Sequence, residues 1–421
     1  MFQNETKMEY LTRLVVIADD ITGAFDTGVQ FSKRGASVQV AVGARLGEEA
    51  PRADVVVIDA ETRHRTARDA YHETYRIASA VGAWRAPHLY VKTDSGLRGN
   101  IGPAIKAVLD ATGEDFAAFA PAYPDINRVT RDGCQWVDGQ RIEDSVYGRD
   151  LFEPVRTSRV GQLLSPYGLN VCECKAPCKL AYGPSTAAVF DAECNEDFHR
   201  IARLIRDEGR LRVTAGCAAF AASLPAYFGL PDRAAEAPEV HAPLVIVCGS
   251  LNPVTRYQFE YGERMGYKRV ILSRRQLLEA DYLESEDGRR LLASLGDVMR
   301  SRRTLMLDTG LDVPKDEPDD CLEETRVLIA RRLGALLLRM LGMEEARDYT
   351  PMIIGGDTLI AFLTQAGFPR VVLEGEVSAG VVMFSMVFRG RTLRMLSKSG
   401  GFGSRTLLGD VVSERMTGRC Q

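Results

Sequence analysis

Along the chain one unit recurs: a short run of apolar, often β-branched residues, a polar or glycine-rich turn, then an amphipathic helix. Leu14–Ala18 runs through Asp19-Asp20-Ile21-Thr22-Gly23 into a helix reaching about Arg34. Val55–Ile58 runs through Asp59–Arg65 into a helix over Ala67–Val81, and Leu89–Val91 runs through Lys92–Gly102 into Pro103–Ala111. Phe116–Ala120 leads into Pro121–Arg128, where Pro121 and Pro124 favour a turn over a helix. Leu230–Pro243 has several prolines and no apolar period, and reads as a linker.

Beyond the linker the unit starts again. Leu244–Cys248 leads through Gly249–Val254 into Thr255–Met265, and Met352–Ile354 leads through Gly355–Thr358 into Leu359–Ala366. Thr392–Leu396 leads through Ser397–Ser404 into Thr406–Met416, and Asp312–Glu324 reads as an acidic, proline-containing loop. Strands alternating with helices predict an α/β protein of two domains, each a mostly parallel, doubly wound sheet flanked by helices. The expected bounds are 1–229, a linker at 230–243, and 244–421.

Composition narrows the field. A chain of 421 residues is comfortable for two cores, and its 45% apolar and 26% charged residues are those of an ordinary globular protein. With a net charge of −4 and no basic block, nucleic acid is not an expected partner. Met1–Arg13 carries Glu5 and Glu9 and no apolar stretch, so it does not read as a signal peptide. No run of about 18 apolar residues predicts a membrane span. Nine irregularly spaced cysteines do not form a disulfide framework and fit a reducing cytoplasm. A homodimer is left open.

In open α/β sheets ligands collect where strand ends feed helix N-termini. The turns of the first half are charged: Asp19 and Asp20; Arg63 and Arg65; Lys92, Asp94, Ser95 and Arg98; Asp125, Asn127 and Arg128. Arginine forks suit a carboxylate and aspartates accept from hydroxyls, so together they describe a pocket for a small polyhydroxylated acid. Any one of them alone reads as helix capping. The turns of the second half are rich in glycine: Gly249-Ser250, Gly355-Gly356-Asp357-Thr358, and Ser399-Gly400-Gly401-Phe402-Gly403-Ser404. Such turns let backbone N–H groups approach a phosphate, and Lys398 beside the third could add a charge. Taken singly, they are tight turns needing positive φ. Neither a Walker pattern nor a dinucleotide fingerprint is present.

Cys172, Cys174 and Cys178, with Cys194 or His199, invite a metal reading, but the spacing is not that of a zinc knuckle. The cluster reads as ordinary thiols, and the sequence assigns no metal ligand. The five histidines are scattered, and His64 reads as a surface residue.

These motifs resemble the four-carbon acid sugar kinases, a family formerly known only as a domain of unknown function. Its A-D-D-x-T-G-A-x-D-T-G run is matched by Ala18–Gly28, its D-T-R-S-R element by Ala60–Arg65, and its K-x-D-S-T-L-R-G-N element by Lys92–Asn100. Pro121–Val129 is similar to P-A-F-P-x-x-G-R-T, Cys248–Thr255 to S-G-S-x-S-P-V-T, Gly355–Thr358 to G-G-E-T, and Lys398–Gly403 to K-S-G-N-F-G. The resemblance covers nearly the whole chain in order. It implies an N-terminal domain that binds the acid, a C-terminal domain that binds ATP, and phosphorylation of the acid's terminal hydroxyl with magnesium on the phosphates.

By position, the resemblance implies that Asp20, Arg63, Lys92, Asp94, Ser95 and Arg98 face the acid, beside Asp19. Ser250, Gly355, Gly356, Asp357, Thr358, Ser399, Gly400, Gly401, Phe402 and Gly403 would face the nucleotide. Asp20 is the favoured residue for orienting or deprotonating the hydroxyl, and Asp94 competes with it. The chain departs from the family at Asp59-Ala60-Glu61, His64 and Gly96 in the substrate turns, and at Asn252 and Asp357 in the nucleotide turns. The sequence therefore does not choose among threonate, erythronate and 3-oxo-tetronate. Two other classes remain to compare: a sugar-acid sensor without turnover, disfavoured by the intact turns, and a dehydrogenase, disfavoured by the missing fingerprint.

Overall fold

The computed structural model of the chain describes residues 12–44, 46, 51–150, 153–180, 183–310 and 319–413. It divides into two compact units between Ala235 and Glu236. Among the described residues, no helix is long and apolar enough to cross a membrane.

The first unit carries strands β1 (Leu14–Ala18), β2 (Val38–Ala41), β3 (Val55–Asp59), β4 (His88–Lys92) and β5 (Phe116–Ala120). A small antiparallel sheet follows, made of β6 (Arg128–Arg131), β7 (Cys134–Val137) and β8 (Gln140–Arg141). Then come β9 (Asn170–Cys174), β10 (Thr186–Phe190) and β11 (Val213–Gly216). The main sheet runs β2-β3-β1-β4-β11-β5-β10-β9, and all of its described pairings are parallel.

β1, β3 and β5 are buried along their whole length. Strands covered on both faces read as unbroken apolar runs rather than alternating ones, as these do. Helix Ala67–Gly82 starts on Thr66, whose side chain accepts from the Asp69 N–H. Helix Ile101–Thr112 stops at Gly113, whose φ of 72° lies in the left-handed region. Val56, Ile58, Ile77, Ile105 and Phe119 share one core. Chain direction away from β1 reverses here: β2 and β3 lie on one side, β4 and the later strands on the other. That reversal makes the carboxyl ends of β3, β1 and β4 the place for a ligand.

The second unit holds β12 (Leu244–Cys248), β13 (Lys268–Ile271), β14 (Leu305–Asp308), β15 (Thr350–Ile354), β16 (Arg370–Ser378), β17 (Val381–Phe388) and β18 (Arg391–Lys398). β13-β14-β12-β15-β18 is parallel, and β16, β17 and β18 form an antiparallel meander. β12, at the centre of the parallel part, is flanked by β14 and β15.

Three expectations change. β18 extends to Lys398 and takes in Ser397, so the third glycine loop begins later than the sequence suggests. The acidic segment Asp312–Glu324 is not all loop. Helix Asp319–Met340 starts inside it, and 312–318 lie outside the described residues. The last helix is Leu407–Ser413, with the expected end at Met416 likewise outside.

Candidate functional site

In the first unit the register places Ala18 opposite both Asp59 and Lys92. The turns after β1, β3 and β4 therefore open side by side. Arg63, reaching back from the β3 turn, is their hinge pin. Its Nε donates to Asp19 Oδ2 at 2.8 Å and its Nη1 to Asp20 Oδ2 at 2.5 Å. Burial works against this guanidinium's charge, but Asp19, Asp20 and Asp94 outweigh it and push its pKa well above the ordinary arginine value. Asp20 also caps helix Ile21–Ser32, accepting from Gly23 N at 2.6 Å.

Asp94 accepts from Arg98 Nε at 2.6 Å, and Arg98 Nη1 donates to Asp150 at 3.1 Å. Burial would raise the Asp94 carboxyl, yet Arg63, Arg98 and Lys92 hold it far below the usual carboxylate range. Burial likewise opposes the charge on Arg98, and Asp94 restores it and more. Lys92 is buried, with its Nζ 3.9 Å from Asp19 Oδ1. That oxygen is itself buried, and among the described residues it has no hydrogen-bond partner, which leaves a strong acceptor unsatisfied near an ammonium. Ser95 Oγ accepts from Arg128 Nη1. Asp19, Asp20, Arg63, Lys92, Asp94 and Arg98 thus form one charged cluster, with Ser95 next to Asp94 in the chain and bonded to Arg128.

Of the other first-half candidates, Arg128 joins the cluster through Ser95, while Arg65, His64 and Asp125 have partners elsewhere. Arg65 donates to the Glu61 carbonyl, His64 meets Glu153 at 3.0 Å, and Asp125 accepts from Asn195. Sequence reasoning gave no role to Asn100, whose Nδ2 donates to the carbonyls of Thr62, Arg63 and Arg65 and so fixes the β3 turn. It lay in the Lys92–Asn100 motif and could have been found there. Asp150 and Tyr147 carried no motif at all, because their segment folds back onto the cluster only in three dimensions.

Asp59 is fully buried. Desolvation, then Glu61, then Asp20 push its carboxyl well above the ordinary range, and among the described residues its Oδ1 has no hydrogen-bond partner. A raised folded-state pKa contributes stability that is present below the unfolded value and lost as pH rises through the folded one. The neutral isostere Asp59→Asn should therefore raise the melting temperature, and by more at pH 8 than at pH 5. Parallel thermal melts at the two pH values measure the difference; an equal shift at both would show that Asp59 does not titrate there.

In the second unit three glycine turns meet at Ser250. A Cβ on Gly249 would lie 2.2 Å from Thr358 Oγ1, and one on Gly400 would lie 2.0 Å from Ser250 Oγ. Gly355 has a φ of 113°, with Ser250 N 3.5 Å from where its Cβ would be. Thr255 Oγ1 donates to the Gly400 carbonyl at 2.7 Å, and Gln258 Nε2 donates to the carbonyls of Phe402 and Ser404 at 3.1 and 2.8 Å. Two helix N-termini open here: Pro253–Arg264, capped by Asn252, and Gly356–Gln365. Backbone held this close, with helix starts aimed at one spot, suits phosphate oxygens.

Lys398 is placed differently from its neighbours. It is 1% exposed, and its Nζ donates to the carbonyls of Ser399 at 2.9 Å and Gly400 at 3.2 Å. Burial lowers its pKa to about 8. In this conformation its charge braces the loop from within. Asp357 faces outward and pairs with Arg326 at 2.9 Å. Gly401 and Gly403 lie on the exposed side of the loop, while Phe402 packs against Gly380.

Among the described residues no group of three or more His, Cys, Asp or Glu side chains could hold a metal ion. Cys172 and Cys174 lie with their sulfurs 3.3 Å apart on the edge strand β9, and burial first of all pushes the Cys174 thiol up. A thiol raised in this way is a poor nucleophile. Changing Cys172, Cys174 and Cys178 together to serine should leave turnover within a few-fold in a steady-state assay. Loss of activity together with bound zinc would reverse that assignment.

Residues 14–224 match a sugar-binding N-terminal domain family, and residues 245–408 match a nucleotide-binding C-terminal domain family. The chain is 28% identical over 430 aligned residues to a D-threonate kinase of Salmonella typhimurium, covering 95% of this chain and 97% of that one. It is 26% identical over 425 residues to a 3-oxo-tetronate kinase of Methylobacterium radiotolerans, covering 93% and 97%. A solved structure from Salmonella typhimurium has the same fold, with a TM-score of 0.76 at 18% identity, over 95% of this chain and 99% of that one.

Proposed function

The chain belongs to the four-carbon acid sugar kinase family, and we propose that it uses ATP to phosphorylate the terminal hydroxyl of a four-carbon sugar acid. Threonate, erythronate and 3-oxo-tetronate define the class. The observation that carries this reading is the division of chemistry: a connected cluster of carboxylates and cations in one unit, and glycine turns converging on Ser250 in the other.

In the acid site, Arg98 grips the carboxylate with the N–H groups that Asp94 and Asp150 leave free. Lys92 and the Asp19 carboxylate take hydroxyls. Asp20 orients the reacting hydroxyl and receives its proton. Of the three carboxylates its side chain is the most accessible, 20% exposed against 12% for Asp19 and for Asp94. Asp94, held far below the usual range, is a poor proton acceptor and serves to keep Arg63 and Arg98 in place.

In the nucleotide site, the N–H groups of the Ser250, Gly355–Thr358 and Ser399–Gly403 turns cradle the phosphates. The transferred group needs charge neutralisation and alignment more than covalent help. Magnesium enters as part of the Mg–ATP substrate.

Phosphorus NMR of the product tests the position of transfer. A phosphomonoester signal split into a triplet by a CH2 group is expected. A doublet from coupling to a single CH proton would move the reaction to an internal hydroxyl.

A further inference from the structure

One aromatic ring lies among the charged turns without a part in the reaction as described so far. Tyr147 sits in the Ser145–Asp150 turn, and its ring covers Gly96. A Cβ on Gly96 would fall 2.3 Å from Tyr147 Cε1 and 2.5 Å from Cδ1. The ring can occupy this place only because residue 96 has no side chain.

The same ring lies beneath two guanidiniums. The central carbon of Arg98 is 5.3 Å from its centroid and that of Arg128 is 5.0 Å. Each arginine is tied at a second point, Arg98 to Asp94 and Asp150 and Arg128 to Ser95. Among the described residues these bonds leave Nη2 of Arg98, and Nε and Nη2 of Arg128, without a hydrogen-bond acceptor. Attraction to a ring face fixes a guanidinium without consuming its N–H donors. The backbone beneath the ring is also anchored, with Val155 N donating to the Tyr147 carbonyl at 3.0 Å.

We propose that Tyr147 is a positioning residue for the carboxylate of the sugar acid: its ring, admitted by Gly96, holds Arg98 and Arg128 as a two-pronged receptor with their free N–H groups presented to the ligand. This rests on the sugar-acid reading above and adds Arg128 as a second binding arginine. A carboxylate takes two forked donors well, and its affinity depends on their spacing. Losing the ring loosens that spacing.

The test is a set of five variants, with Tyr147→Ala and its double with Gly96→Ala among them, read by steady-state kinetics and by calorimetric titration with the acid. Tyr147→Leu, which keeps bulk and loses the ring face, should raise the acid KM and Kd about tenfold with the ATP KM unchanged. Tyr147→Phe should restore both to within about twofold, since the ring and not the hydroxyl carries the effect. Gly96→Ala should also weaken acid binding by displacing the ring, and should add much less in a Tyr147→Ala background, where the nearest remaining atom to the new Cβ is Asp94 Oδ2, at 2.9 Å. If Tyr147→Leu does not fold, the difference between Gly96→Ala in the wild-type and in the Tyr147→Ala background reads the contribution of the ring. Acid binding unchanged in Tyr147→Leu and Gly96→Ala, with wild-type binding intact, overturns the role of Tyr147 alone. A folded wild-type protein that binds no four-carbon acid overturns the sugar-acid reading itself.

Discussion

Replacing Asp20 with asparagine should lower kcat by about 10²–10⁴-fold while the dissociation constants for acid and ATP stay within a few-fold. Asparagine is as good a helix cap as aspartate, so the bond from Gly23 N survives and helix Ile21–Ser32 keeps its start. Arg63 keeps its bond to Asp19 and loses its charged partner at residue 20, at a stability cost of about 1–3 kcal/mol. What disappears is the negative oxygen beside the reacting hydroxyl. Asp94→Asn should behave otherwise. Its carboxylate tethers Arg98 at 2.6 Å, so its loss should appear mainly as a higher KM for the acid. Kinetics of the two variants side by side separate the roles: a collapse of kcat in Asp94→Asn with KM unchanged, and a near-normal Asp20→Asn, would exchange them.

The second large effect belongs to the other unit. Gly400→Val should weaken ATP binding by at least about a hundredfold and leave acid binding in the free enzyme unchanged. A Cβ there would sit 2.0 Å from Ser250 Oγ and 2.9 Å from Ser250 Cβ, and valine's branch removes any escape by rotating the hydroxyl. Gly401 is a milder position than its motif suggests. Its nearest neighbour, Asn252 Nδ2, would be 3.2 Å from an added Cβ, on the exposed side of the loop. The reciprocal change, Arg98→Ala, should cost the acid about a hundredfold in affinity and leave ATP binding alone. Calorimetry with each ligand separately is the measurement. Loss of the opposite ligand by either folded variant would dissolve the assignment of one ligand to each unit.

Much of this was legible in the sequence because parallel strands announce themselves. β1, β3, β5 and β12 are buried on both faces and read as unbroken apolar runs. Their turns could be located to within a residue or two, and the charged and glycine-rich halves separated. The antiparallel meander was harder. β16 alternates and is interrupted at Gly375, a weaker signal than a continuous run. Lys398 illustrates a different gap: residue type marks it as a phosphate ligand, but extension of β18 by two residues buries its ammonium among the loop carbonyls. The Tyr147 turn was invisible because its meaning lies in a neighbour 51 positions away that has no side chain. Local pattern carries strand ends and turns. It does not carry what a returning segment lays over them.

The central claim is tested most directly by coupled ADP release with the wild-type protein, Mg–ATP, and threonate, erythronate or 3-oxo-tetronate in turn. At least one acid should raise ADP release well above the acid-free rate, and that increment should vanish when ATP is withheld or magnesium is chelated. A folded protein that binds ATP yet releases ADP no faster with any of the three acids would contradict the account.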